Sequence, residues 1–103
     1  MIMSTVFDAL SHPIRRQVLE LLKGGGRTAG ELADHFPVSK PTMSGHFAKL
    51  KAAGLIRGES RGGHVVYTLN LSTLEEAVMG FMNRMGVGSN SDAGPAPEAE
   101  DVQ

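Results

Sequence analysis

Met3, Val6, Phe7 and Leu10 recur at the i, i+3, i+4, i+7 spacing of an amphipathic helix. Ser11-His12-Pro13 breaks the pattern. Ser11 or His12 can cap a second helix, with Pro13 in its first turn, where a missing N–H costs nothing. Ile14, Val18, Leu21 and Leu22 form its apolar stripe, and Gly24-Gly25-Gly26 stops it. Thr28 and Glu31 make a T-x-x-E capping box, which predicts a short third helix over 28–36 with Ala29, Leu32, Ala33 and Phe36 inward. Pro37 ends it, and Pro37-Val38 turns the chain tightly. Ser39 caps a fourth helix over 39–53, with Pro41 in the first turn and Met43, Phe47 and Leu50 as the apolar positions. Gly54 closes it.

Beyond Gly54 the period changes from 3.6 to 2. Residues 55–60 read as a strand, Arg61-Gly62-Gly63-His64 as a turn with two glycines free to take positive φ, and 65–70 as the return strand. A last helix is expected from Ser72, with a second capping box to Glu75 and a stripe of Leu74, Ala77, Val78, Phe81, Met82 and Met85. From Gly88 the composition is Ser, Asn, Asp, Gly, Pro, Ala and Glu, with too little apolar area to offset ordering entropy, so a disordered tail is expected over 88–103.

Two helices joined by a tight turn and followed at once by a hairpin make a winged helix-turn-helix. The expected fold is therefore mainly α with a small β-hairpin (α+β): about five helices and a two-stranded wing within residues 1–87. Helix 39–53 would enter the DNA major groove, which a single helix fills, with its positive N-terminal end toward phosphate. The basic hairpin tip would reach the neighbouring minor groove.

Composition narrows the function. The 103 residues include no cysteine, which excludes a disulfide scaffold, a thiol nucleophile and a thiolate metal site. With no Trp and one Tyr, an aromatic platform for single strands is disfavoured. No apolar run approaches the ~20 residues of a membrane span, and the first eight residues carry no base, so a cytoplasmic protein is expected. The net charge of −1 hides an asymmetry: residues 88–103 sum to −4 and residues 1–87 to +3. Between His35 and Tyr67 stand Lys40, Lys49, Lys51, Arg57 and Arg61 against the single acid Glu59. A basic centre of this kind suits a polyanion, and on charge alone an ordinary solvated surface with a charged tail is an equal reading.

The run from Ser39 to Ile56 resembles the recognition segment of ArsR-type bacterial repressors, S-x-P-T-x-S-x-H-x-x-x-L-x-x-A-G-L-[IV]. Phe7 to Leu22 resembles that family's opening, F-x-A-L-x-x-P-x-R-x-x-I-L-x-L-L, and Arg61 to Leu69 its wing, R-x-G-x-x-x-x-Y-x-L, approximately. Three separated motifs in the right order make the resemblance specific over about residues 3–87. The T-A-G-E-L-A-x-H-F run and the lack of cysteine are most similar to the SdpR group of toxin-immunity autorepressors. The resemblance implies a homodimer that binds an inverted-repeat operator and blocks transcription, with no enzymatic activity. Many relatives sense metals, but here the third-helix run Ala29–Ala33 has no thiolate and the last helix has Glu75 and Glu76 without a His, so no metal is expected. It also implies dimer contacts from the first and last helices, and a membrane-bound or other regulatory protein that sequesters the repressor.

On a helical wheel centred on Met43, the outward positions of helix 39–53 are small or basic. The candidate DNA contacts are Ser39, Lys40, Pro41, Thr42, Ser44, Gly45 and Lys49, with Arg57 and Arg61 on the wing. His46 lies on the flank, where a DNA contact and a packing role are equally open. Arg57 has Glu59 as an alternative partner; Arg15 and Arg16 could touch the backbone or pair with Glu20 and Asp8, and structural pairing is the favoured reading. The candidate dimer residues are Met3, Val6, Phe7, Leu10, Leu74, Val78, Phe81, Met82 and Met85, with closure of the monomer core as the other use of the same stripes. No cofactor is implied. His12, His35, His46 and His64 lie on separate elements without metal spacing. Two rival functions remain at this point: a winged-helix protein-interaction module, and a metal sensor with a non-cysteine site.

Overall fold

The computed structural model describes residues 2–86, the side chains of residues 2–4 excepted. The 88–103 tail and the Met3 side chain therefore lie outside the described residues. Helix α1 spans Ile2–Ala9 and α2 spans Pro13–Leu21. Of the two possible caps, His12 is the one used: its Nδ1 accepts the Ile14 N–H at 3.1 Å, with Pro13 in the first turn. A single 3-10 turn over Leu22–Gly24 finishes α2.

The third helix, α3, covers Ala29–Ala33, shorter than 28–36. Its capping box is complete, Thr28 Oγ1 accepting from Glu31 N at 3.0 Å and Glu31 Oε1 from Thr28 N at 2.9 Å. Helix α4 runs Lys40–Ala52, capped by Ser39. Strands β2 (Ile56–Arg61) and β3 (His64–Leu69) form the wing. Gly62 and Gly63 have φ of 54° and 85°, the two left-handed positions that a type I′ hairpin needs and only glycine takes freely. Helix α5, Leu71–Arg84, completes the described chain.

Two expectations change. The sheet has three strands, not two, because Arg27–Thr28 forms a short β1 that pairs antiparallel with β3 (Arg27 opposite Tyr67, Thr28 opposite Val66). Gly26 permits this approach, since a Cβ there would stand 3.1 Å from Val66 Cγ1. The capping box between Ser72 and Glu75 does not start α5. The helix begins a residue earlier with Asn70 as its N-cap, whose side chain takes no capping bond. Instead Asn70 N donates to Leu55 O at 2.8 Å, and its Nδ2 to Gly54 O (3.0 Å) and Thr73 Oγ1 (2.9 Å). These bonds tie the turn into α5 to the end of α4 and so fix where the helix starts.

The core gathers Val6, Val18, Leu32, Met43, Leu50 and Leu55, all fully buried, from α1, α2, α3, α4 and the turn before β2. Each fully buried aliphatic side chain of this kind contributes about 1.5–3 kcal/mol. Tyr67 of β3 stacks on Phe47 of α4 with ring centroids 4.8 Å apart, which seats the wing against the groove helix. Gly58 lies opposite Tyr67, where a Cβ would come within 2.9 Å of the ring.

Candidate nucleic-acid interface

Helix α4 has two distinct sides. Met43, His46, Phe47 and Leu50 are buried. Ser39, Lys40, Pro41, Thr42, Ser44, Gly45, Ala48 and Lys49 are exposed, so every proposed contact except His46 reaches the surface. Ser39 Oγ accepts from Thr42 N (3.3 Å) and donates to Thr42 Oγ1 (3.0 Å), which leaves the Thr42 hydroxyl hydrogen free to donate outward. A Cβ at Gly45 would meet nothing within 4 Å. Glycine in mid-helix costs about 1 kcal/mol relative to alanine, and nothing among the described residues requires it there.

His46 is 8% exposed and packs rather than points out. Its Nδ1 accepts from Arg15 Nη1 at 3.1 Å, and its ring lies 4.5 Å from that of His12. Burial, then the neighbouring His12 and Arg15, hold its pKa below the ordinary histidine value. These contacts support the packing role of its two.

Arg15 and Arg16 bond carbonyl oxygens, not the Glu20 and Asp8 carboxylates. Arg15 Nε donates to Ala9 O (2.7 Å) and Nη2 to Asp8 O (3.1 Å), and Arg16 Nη1 donates to Leu10 O (2.7 Å). The last carbonyls of α1 have no helical partner, and cationic donors satisfy them well. The Asp8 carboxylate pairs instead with Lys49 Nζ at 3.2 Å. On the wing, Arg57, Glu59 and Arg61 alternate onto one strand face. Glu59 pairs with Arg61 (2.9 Å) rather than with Arg57. Both pairs are well exposed, worth a few tenths of a kcal/mol, and readily exchanged for another anion.

The terminal helices differ in what they leave open. Val6, a candidate for the dimer face, is fully buried inside the protomer and has no surface to offer. Phe7, Leu10, Leu74 and Met82 are half-buried. Phe81 is 47% exposed and meets Phe7 edge-on at 5.6 Å, while Val78, Met79 and Met85 are exposed beside it. Met79 stands one position past Val78, outside the 3.6-residue pattern that defines the apolar stripe. Among the described residues, no three His, Asp or Glu side chains converge to hold a metal ion, and no helix is long and apolar enough to cross a membrane.

A short helix, a tight turn, a second helix with an open small-and-basic face, and a basic-tipped hairpin define a winged helix-turn-helix DNA-binding regulator. A family model described as a helix-turn-helix domain matches residues 10–59. The transcriptional repressor SdpR of Bacillus subtilis is 42% identical over 88 residues, 85% of this chain and 98% of that protein. The arsenical resistance operon repressor of Staphylococcus xylosus is 36% identical, over 71% of this chain and 70% of that one. An ArsR-like transcriptional regulator from Rhodococcus superposes with a TM-score of 0.71 at 28% identity, covering 82% and 79% of the two chains. HlyU from Vibrio cholerae does so with 0.64 at 28% identity, covering 80% and 88%. The chain belongs to the ArsR-type family of winged helix-turn-helix transcriptional repressors, a family of DNA-binding regulators and not of enzymes.

Proposed function

We propose that the chain acts as a homodimer that reads an inverted-repeat operator through α4 and the β2–β3 wing, independently of metal. The observation that carries this reading is the outward face of α4. Ser39, Lys40, Pro41, Thr42, Ser44, Gly45 and Lys49 lie exposed along it, and Gly45 leaves space that nothing among the described residues fills. Lys40 and Lys49 meet phosphate or guanine, Thr42 and Ser44 meet base edges, and Gly45 lets a backbone come close. Arg57 and Arg61 contact the backbone or minor groove beside it. His46 acts from inside the fold and contacts no DNA.

The dimer contact uses Phe7, Leu10, Leu74, Val78, Phe81, Met82 and Met85, with Met79 added. An open apolar helix face of this size supports a partner surface better than closure of the monomer core. The absence of cysteine supports a signal other than a thiolate-bound metal. Autoregulation, and sequestration by a membrane-bound or other regulatory protein, rest on the resemblance to the SdpR group. Residues 1–87 serve as the binding and dimerisation domain, and 88–103 as an acidic tail.

Salt dependence tests this. A dimer neutralising ~6 phosphates gives log K against log salt a slope of about −5. Affinity for a labelled duplex, followed by fluorescence anisotropy across salt concentrations, is expected to show that slope. A slope near zero would favour the protein-interaction module.

A further inference from the structure

One buried guanidinium joins the two helices that the proposed function assigns to different tasks. Arg15 is 7% exposed. Its Nε and Nη2 hold the Ala9 and Asp8 carbonyls at the end of α1, and its Nη1 holds His46 Nδ1 in the middle of α4. A guanidinium has five donors and no acceptor, so His46 Nδ1 must be the acceptor and the ring proton sits on Nε2. Outside this joint the Asp8 carboxylate makes a second, exposed tie to Lys49 of α4. The same α1 carries Phe7 against Phe81 of α5. Apart from His46, the buried side of α4 is Met43, Phe47 and Leu50, whose contacts have no direction and resist rotation of the helix weakly.

We propose that Arg15 is a positioning residue for operator recognition: through His46 it fixes the angle of α4 to α1, so that pairing of two copies sets the spacing and tilt of their two groove helices. The inference rests on the DNA-reading role proposed above. Two groove helices must meet half-sites about one helical turn, ~34 Å, apart, and a small rotation of each misplaces both. Attraction to random DNA needs only charge, so losing the joint harms the operator complex far more than non-specific binding.

The joint works only with neutral His46. A proton on Nδ1 would put a donor against a donor. The groups around it are Arg15 and His12 from α2 and its cap, the Asp8 carboxylate on α1, and Lys49 on α4, which neutralises Asp8. On the other side of α4, β2 bears Arg57, Glu59 and Arg61, the last two paired. Because the native pKa lies below the unfolded one, the joint is fully present at and above the ordinary histidine value and is lost only as pH falls through the lowered native value.

The test uses the full-length chain, a duplex that it selects from a random-sequence pool, and an unselected duplex, at about pH 7.5 and about pH 5.0. For the wild type, the selected-over-random affinity ratio is expected to drop of order tenfold at the lower pH, the worth of a hydrogen bond to a charged group. Random-DNA affinity should hold, since it needs only the charge of the exposed lysines and arginines. In His46→Asn, Oδ1 sits near the place of Nδ1 and cannot be protonated, so the ratio should start near wild type and stay there. Arg15→Lys should lower the ratio at both pH values while sedimentation still shows a dimer. A wild-type ratio unchanged with pH, or the same drop in His46→Asn, overturns the proposal. Should Arg15→Lys not fold, the wild-type and His46→Asn pair decides alone. No selected duplex at all would overturn the DNA reading, and this inference with it.

Discussion

Phe81→Asp is expected to give a folded monomer that has lost operator binding. Phe81 lies 47% exposed on α5, so its replacement leaves the protomer core of Val6, Leu32, Met43 and Leu50 intact. In the proposed dimer the same side chain is central, between Phe7 and the exposed Val78, Met79 and Met85. A carboxylate buried there without a partner costs several kcal/mol, enough to dissociate a dimer of ordinary affinity. Each monomer then presents one α4 to one half-site. Losing the linked second contact lowers affinity by ~10²–10⁴-fold, though no DNA-facing residue has changed. Sedimentation velocity and anisotropy on the same samples check both parts. A dimeric Phe81→Asp protein with wild-type operator affinity would move the interface off α5.

The joint replacement of Lys40 and Lys49 by Ala is expected to flatten the salt dependence while leaving the dimer intact. Both lysines are exposed on α4, at its first and third turns. Two residues in two protomers account for about four of the ~6 phosphate contacts, so the slope should fall from about −5 to about −2. Affinity at moderate salt should drop by at least tenfold. Lys49 must leave Asp8 to reach a phosphate, but an exposed pair is worth only a few tenths of a kcal/mol and hardly opposes the exchange. An unchanged slope would mean that α4 does not face the DNA backbone.

What could be read from the chain before its structure was local. Caps gave the starts of α2, α3 and α4 nearly to the residue, because Thr28, Glu31, Ser39, Pro13 and Pro41 act within one turn of themselves, while α3 ends three residues before the expected Phe36. The Gly62-Gly63 hairpin was legible for the same reason. The open side of α4 followed from helical periodicity, although the burial of His46 on the flank did not. What escaped depended on distant partners. Strand β1 has two residues, too few to show alternation, and exists because β3 lies beside it. The S-x-x-E pattern at Ser72 was overridden by Asn70 bonding back to Gly54 and Leu55. The bonds of Arg15 to Ala9 and His46 span 6 and 31 residues, and charge pairing by sequence proximity pointed to the wrong acceptors. Val6 fits a stripe as well as Phe7 does, but the stripe is wider than the face that the protomer leaves open.

The central claim, that two copies of the outward face of α4 read DNA, is tested most directly by selecting binding sites from a random pool with wild type and with Thr42→Val. The expected wild-type product is an inverted repeat with half-site centres about one or two helical turns apart. The expected Thr42→Val product keeps that symmetry and spacing and changes its preferred base at one position of each half-site, with discrimination there altered by ~1–3 kcal/mol. Enrichment of an unsymmetrical site, or identical preferences for the two proteins at every position in sites that Ser44→Ala also leaves unchanged, would contradict the account.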